Sequence, residues 1–332
     1  MRKLGSRIIA LLITLALLGC CAFAETGPRV TGTFLQPWAF TEYTADDWGR
    51  HMDLLLEAGI DTVILQWTAD TPYGTVSEIF YPSDTECLAA CEELLPRMLG
   101  AASERGMKVF VGLNMSDEWW QFACSDEEWN RTQAALGLSI AEEICGLYKA
   151  AYPDALYGWY IPWEMFNGMY GQEAMAASFL NLYLDGLNEL SPDMPVMISP
   201  FLRSAGGTPD EAQAEWTKVF AAANFRPGDI FCVQDAVGAG HITIDELDAY
   251  YAAMKNAADT EEGLLFWANT ECFRTVSENV LRAAPVDRFI RQMEIAEPYV
   301  SGYVTFAYSH YYAPDVAGTE AYHNTYLDYL NK

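Results

Sequence analysis

Two glutamates end strongly apolar runs that lie far apart in the chain. Glu164 follows Tyr157-Gly158-Trp159-Tyr160-Ile161-Pro162-Trp163, and Glu271 follows Leu265-Phe266-Trp267-Ala268-Asn269-Thr270. A charged carboxyl directly after a buried strand costs desolvation energy unless it is used or paired. Two such groups flanking one bond are what hydrolysis of a glycosidic linkage needs: one donates a proton to the leaving oxygen, and the other acts as nucleophile or base. The plainer alternative for each is an ion pair with Arg203 or Arg274. Asp235 and Asp70 stand in reserve as further carboxylates.

The residues that follow the other predicted strands fit the same chemistry. They run Gln36 and Trp38; Gln66, Trp67 and Asp70; Asn114, Asp117, Trp119 and Trp120; Trp163 and Asn167; Ser199 and Arg203; Gln234 and Asp235; Trp267 and Asn269; Ser309, His310, Tyr311 and Tyr312. Indole and phenol rings stack on the apolar faces of sugars, while amides and carboxylates pair with hydroxyls in fixed directions. The substrate-binding set expected from this pattern is Gln36, Trp38, Gln66, Trp67, Asn114, Trp119, Trp163, Asn167, Gln234, Asp235, Trp267, Asn269, His310 and Tyr311. For any single tryptophan the competing role is filler between strands and helices. For His310 it is a satisfied wall residue rather than a partner for a substrate hydroxyl or for Glu271.

The elements that must carry these residues alternate strand and helix eight times. Predicted strands cover Gly32 to Gln36, Thr62 to Gln66, Lys108 to Leu113, Tyr157 to Ile161, Val196 to Ser199, Ile230 to Val233, Leu264 to Ala268 and Tyr303 to Phe306. Each is short and apolar, as strands buried on both faces are. Amphipathic helices are predicted over Asp46 to Ala58, Cys87 to Arg105, Asp126 to Ala151, Gln172 to Leu190, Pro209 to Ala223, Ile244 to Ala258, Pro285 to Ala296 and Thr319 to Leu330. Thr44, Ser125 and Thr208 supply N-caps, and Gly59 and Gly106 follow helix ends. Eight such units imply a closed (β/α)8 barrel, an α/β fold, in one domain over residues 25–332. The functional end of that architecture is the C-terminal end of its strands. No glycine-rich phosphate fingerprint follows the first strand, which weighs against a dinucleotide fold.

Residues 1–24 read as an export signal: Arg2, Lys3 and Arg7 precede an apolar run from Ile8 to Leu18 that is too short to span a bilayer. Two cleavage sites compete. Ala22-Phe23-Ala24 is favoured, while Leu17-Leu18-Gly19-Cys20 resembles a lipobox that would leave a lipid anchor on Cys20. The expected location is secreted or cell-surface anchored, with no membrane span. The chain carries a formal charge of −27, and loss of Arg2, Lys3 and Arg7 with the signal takes it to about −30. That charge weighs against nucleic acid and anionic membranes as partners. The ligand should be neutral or cationic unless local lysines or arginines reverse the field. Cys87, Cys91, Cys124, Cys145, Cys232 and Cys272 match no metal module, although Cys87 and Cys91 at i, i+4 of a predicted helix leave a strained disulfide open. No metal, no cofactor and a monomer are expected. A Gly-x-Ser-x-Gly elbow is absent.

At the ends of the fourth and seventh strands the sequence resembles the large clan of retaining (β/α)8 glycoside hydrolases. That resemblance implies Glu164 as acid/base and Glu271 as nucleophile. It departs from the clan in carrying Trp163, where asparagine usually precedes the acid/base. The chain also resembles the bacterial family called domain of unknown function 4434, a glycosidase-like barrel. The matching phrases are Gly32-Thr33-Phe34-Leu35-Gln36-Pro37-Trp38, Val63-Ile64-Leu65-Gln66-Trp67-Thr68, Gly158-Trp159-Tyr160-Ile161-Pro162-Trp163-Glu164, Trp267-Ala268-Asn269-Thr270-Glu271 and Phe306-Ala307-Tyr308-Ser309-His310-Tyr311-Tyr312.

Three functions compete on these grounds: a retaining glycosidase acting on an extracellular glycan, a non-catalytic carbohydrate-binding barrel or exported sugar-binding protein, and a transferase or lyase that uses one carboxylate. The glycosidase leads. It implies carboxyl groups about 5 to 5.5 Å apart. It also implies a proton donor, Glu164, that titrates above the nucleophile Glu271.

Overall fold

The computed structural model describes residues 27–277 and 280–332. The export signal and both of its cleavage sites fall outside the described residues. Eight parallel strands close into a barrel in chain order: β1 (Gly32–Leu35), β2 (Thr62–Leu65), β3 (Lys108–Gly112), β4 (Leu156–Ile161), β5 (Val196–Ile198), β6 (Ile230–Gln234), β7 (Leu265–Glu271) and β8 (Gly302–Phe306). Closure runs through the pairing of Gly32 with Val304 and of Thr33 with Thr305. Outside lie α1 (Ala45–Glu57), α2 (Leu94–Glu104), α3 (Glu127–Ile144), α4 (Glu173–Leu190), α5 (Pro209–Phe220), α6 (Leu247–Ala258), α7 (Val286–Ala296) and α8 (Ala321–Leu330). The fold is the (β/α)8 barrel expected from the sequence.

Two helix starts show why. Thr44 and Thr208 each accept the N–H three residues on, from Asp47 and Glu211, while those acids accept the threonine N–H in return. Such a box satisfies orphan donors and places acids at the positive end of the helix dipole. The cap of α3 is Asp126, whose carboxylate accepts from Trp129 N, one residue beyond the expected Ser125.

The helix expected from Cys87 starts instead at Leu94. Pro96 explains this, because a proline in a helix interior removes one hydrogen bond and clashes with the preceding turn but is tolerated in the first turn. The residues before it extend, and Ala89–Ala90 joins a small sheet with Glu78–Ile79, Ala69–Asp70 and Asn114–Met115. Cys87 and Cys91 thus do not share a helix face, and the six cysteines from Cys87 to Cys272 are all free thiols.

Period-two alternation divides the barrel side chains. Phe34, Ile64, Phe110, Tyr160, Met197, Ile230, Cys232 and Val304 fill the interior, with Trp267 and Phe306 against them. A second, larger core of neighbours such as Val63, Leu65, Val111, Trp159, Ile161 and Val233 packs under the helices. Continuing the interior register two residues beyond Phe34, Ile64, Cys232 and Val304 gives Gln36, Gln66, Gln234 and Phe306. The pleat therefore sends these four to the mouth of the barrel. No helix among the described residues is long and apolar enough to cross a membrane.

Candidate active site

A cavity of about 720 Å³ opens at the C-terminal ends of the strands, within the ~300–1,000 Å³ common for small-molecule sites. Of the residues expected from sequence it brings together Gln36, Gln66, Trp67, Glu164, Gln234 and Glu271. Trp120 and Arg203 line it although they stand outside the expected binding set, as do Met115, Phe201, His241, Phe273 and Phe306. Phe306 was legible as the outward continuation of the β8 register. Phe201 and His241 are on loops, where no periodicity marks them.

Glu164 stands three residues past β4, half-buried at the cavity wall. Gln234 reaches it from β6, donating to Glu164 Oε1 at 3.4 Å and to Ser199 O at 2.7 Å. Burial lifts the Glu164 carboxyl to about 7, against the opposing pull of Gln234. A carboxyl so placed is largely protonated just below neutral pH and can give up its proton there.

Glu271 ends β7 and is buried. Its Oε2 accepts the Ala239 N–H at 2.7 Å. The loop after β6 comes this close because Gly238 has no Cβ: one there would meet Glu271 Oε2 at 2.8 Å and Phe273 O at 2.4 Å. Beneath lies Asp235, also buried, whose Oδ2 accepts both the Glu271 N–H at 3.3 Å and an amide N–H of Gln292 from α7. Its Oδ1 accepts the Val237 N–H at 3.2 Å. Arg288 of α7 donates to Glu271 O at 2.9 Å and to Phe273 O, bracing the strand end. The backbone donor at Ala239 and the brace of Gln292 and Arg288 were missed from sequence. Only the Gly238-Ala239-Gly240 run hinted at the first, and nothing local marks the second.

Neither glutamate takes the ion-pair alternative with Arg203 or Arg274: the side-chain partners are Gln234 for Glu164 and the Ala239 N–H for Glu271. Burial raises both Asp235, to about 6, and Glu271, which the charge of Asp235 lifts further. Donors from Gln292, Val237 and Glu271 favour ionisation of Asp235 first, and its charge then holds a proton on Glu271. The expectation was a proton donor, Glu164, that titrates above Glu271; burial instead raises Glu164, Asp235 and Glu271 alike. Asparagine at 235 keeps an acceptor but removes the like charge, so Glu271 should ionise at lower pH. In Asp235→Asn the acid limb of the pH–rate profile is expected to move to lower pH; an unmoved or raised limb would show that the two carboxyls titrate independently.

The remaining residues of the expected binding set lie elsewhere. Asn114 is buried behind the wall, bonded to Thr71, Gln133 and Tyr183. Trp119 and Trp163 are buried too, donating to Glu164 O and Tyr183 OH, so they hold the β4 loop rather than meet ligand. Asn167 exchanges hydrogen bonds with the Arg203 backbone. Asp235 supports Glu271 from below. Trp267 falls inside the barrel from within the strand itself, and Asn269 joins it there because β7 runs to Glu271 rather than ending at Ala268. Trp267 packs across Gly302, where a Cβ would meet the indole at 2.7 Å, and Asn269 donates to Ser199 Oγ at 3.1 Å. Trp38 is 60% exposed and tilts against His310, ring centroids 5.6 Å apart, outside the cavity lining. His310 Nε2 accepts the Gln36 N–H at 3.0 Å. Burial first, then His51, pushes the His310 imidazole down to about 4, so it is neutral in that role. Tyr311 stacks on Phe273 at 5.5 Å and supports the lining from outside.

The same barrel recurs among solved structures. A Bacteroides thetaiotaomicron protein provisionally named an alpha-L-fucosidase is 23% identical, with a TM-score of 0.77, covering 92% of this chain and 94% of its own. The catalytic domain of the major endoglucanase from Xanthomonas campestris pv. campestris is 12% identical, with a TM-score of 0.53, covering 91% and 94%. In sequence, the Escherichia coli K12 protein YbcH, described as uncharacterized, is 28% identical over 255 residues, 74% of this chain and 77% of that protein. A glycosidase-like barrel with this strand-end chemistry, matched by the family model over residues 30–318, places the chain in the family described as Domain of unknown function (DUF4434).

Proposed function

We propose that the protein is an exported glycoside hydrolase that acts with retention of anomeric configuration. Glu164 serves as acid/base and Glu271 as nucleophile. The observation that carries this is the convergence of both glutamates, from β4 and β7, on one cavity whose other lining mixes aromatic rings and amides. The fucosidase and endoglucanase names of the two similar barrels agree with it.

In the first step the Glu271 carboxylate bonds to the anomeric carbon while the glycosidic C–O bond breaks, and the leaving oxygen takes the proton of Glu164. In the second, Glu164 removes a proton from water, whose oxygen attacks the anomeric carbon and releases Glu271. The Ala239 N–H, already aimed at Glu271 Oε2, holds the attacking carboxylate in place. This route needs the carboxyl groups about 5 to 5.5 Å apart, whereas about 6.5 to 9.5 Å leaves room for a water and inverts configuration.

The test is a panel of polysaccharides and aryl glycosides offered to the purified mature protein, with Glu271→Gln as control. Proton NMR of the first product formed should show the anomer of the substrate. Inversion would make Glu271 a general base. Binding without turnover across the panel would favour a carbohydrate-binding barrel instead.

A further inference from the structure

Arg203 is the only lysine or arginine among the residues lining the cavity. It stands five residues past β5 on the side of the β4 and β6 loops, and its guanidinium is held on several sides. Its backbone N–H donates to Asn167 Oδ1 at 2.8 Å, and its Nε donates to Asn167 O at 3.1 Å. The guanidinium carbon lies 4.0 Å from the centre of the Phe166 ring. Among the described residues, Nη1 and Nη2 have no protein hydrogen-bond partner and no carboxylate lies within 4.0 Å of the group. In a chain with 46 acidic and 19 basic residues, an arginine fixed against a ring with its outer edge unmet is a departure from its surroundings.

His241 lines the same side of the cavity, tilted against Phe201 with ring centroids 5.4 Å apart. Burial first, then the charge of Arg203, lowers its affinity for a proton, which leaves a neutral imidazole able to donate one hydrogen bond. Ser204, between them in the lining, is tied to His241 O through both its N–H and its hydroxyl. A pre-set guanidinium fork beside a neutral donor matches an oxyanion: two parallel N–H donors meet two oxygens, with charge assistance.

Resting on the glycosidase reading of the same cavity, we infer that the substrate is an acidic glycan, in which Arg203 with His241 holds a carboxylate or sulfate oxyanion on a sugar. The overall negative charge does not oppose this at close range, because fields of exposed charges fade over about 8 Å at physiological ionic strength. It does confine the preference to the cavity. Arg203 is thus the local cation that reverses the field of an otherwise acidic chain.

The test is calorimetric titration of the Glu271→Gln protein with matched probes: galacturonate and glucuronoxylan oligosaccharides against their carboxyl-reduced forms, and sulfated galactan oligosaccharides against desulfated ones. At least one acidic member should bind at least about 10-fold more tightly than its neutral partner, and the pair that does so tells carboxylate from sulfate. Adding Arg203→Gln should bring that ratio to within about 2-fold of unity, and Arg203→Lys should restore it only in part, since a point charge cannot make the paired contact. Neutral probes binding as well as acidic ones, or no probe binding, would overturn the inference, and this comparison of matched probes does not depend on the Arg203 variants folding. Hydrolysis of neutral glycans without acidic preference would sink this inference and leave the glycosidase standing. Acidic preference in binding with no hydrolysis by wild type would do the reverse.

Discussion

Replacing Glu271 with alanine or glycine is expected to lower turnover on the order of 10⁴- to 10⁶-fold, the scale of loss when a group acting as part of a covalent mechanism is removed. Added azide or formate should then restore part of it on aryl glycosides. The space vacated opens on the cavity, beside the Ala239 N–H that now holds Oε2. A small anion there accepts the same donor and attacks the anomeric carbon, and with azide the product is a glycosyl azide rather than a free sugar. Kinetics with and without the anion, with identification of the product, check this. Loss of activity without rescue, in a protein that keeps its melting temperature, would point to Glu271 as a base acting through water.

Glu164→Ala should behave differently because it loses a proton rather than a bond. With leaving groups that need little protonation the first step survives, so turnover of activated aryl glycosides should fall modestly while natural glycans lose about 10²- to 10⁴-fold, the usual worth of a general acid or base. The pH profile supplies a second readout. The protonated form of Glu164 is the working donor, and burial lifts the group to about 7, so wild-type activity on unactivated glycans should fall as pH rises through about 7. In Glu164→Ala that alkaline limb should disappear on activated substrates. A variant equally impaired on both substrate types, or one that retains the limb, would move the proton donor elsewhere.

Much of this was present in the chain itself. Alternation of short apolar strands with capped helices determined the barrel, because strands buried on both faces and amphipathic helices have few other ways to hide their apolar surface together. The C-terminal ends of β4 and β7 named Glu164 and Glu271, and the pleat alone sends Gln36, Gln66 and Gln234 to the mouth. Single-residue features also decided boundaries, as Pro96 does for the start of α2.

What tertiary structure decided was which polar and aromatic residues at the strand ends meet the cavity and which hold it up. Trp119, Trp163, Asn114 and Asn167 have the composition of a sugar site, yet each is turned away and paired with a neighbour on another element. A strand-end position fixes height along the barrel but not direction once the chain leaves the ladder. Three more residues of ladder at the end of β7 suffice to place Asn269 inside rather than above. The coupling of Asp235 to Glu271 and the unmet edge of Arg203 arise between elements tens of residues apart in sequence. The energy of a buried charge depends on every group within a few ångströms, and only the closed barrel sets those distances.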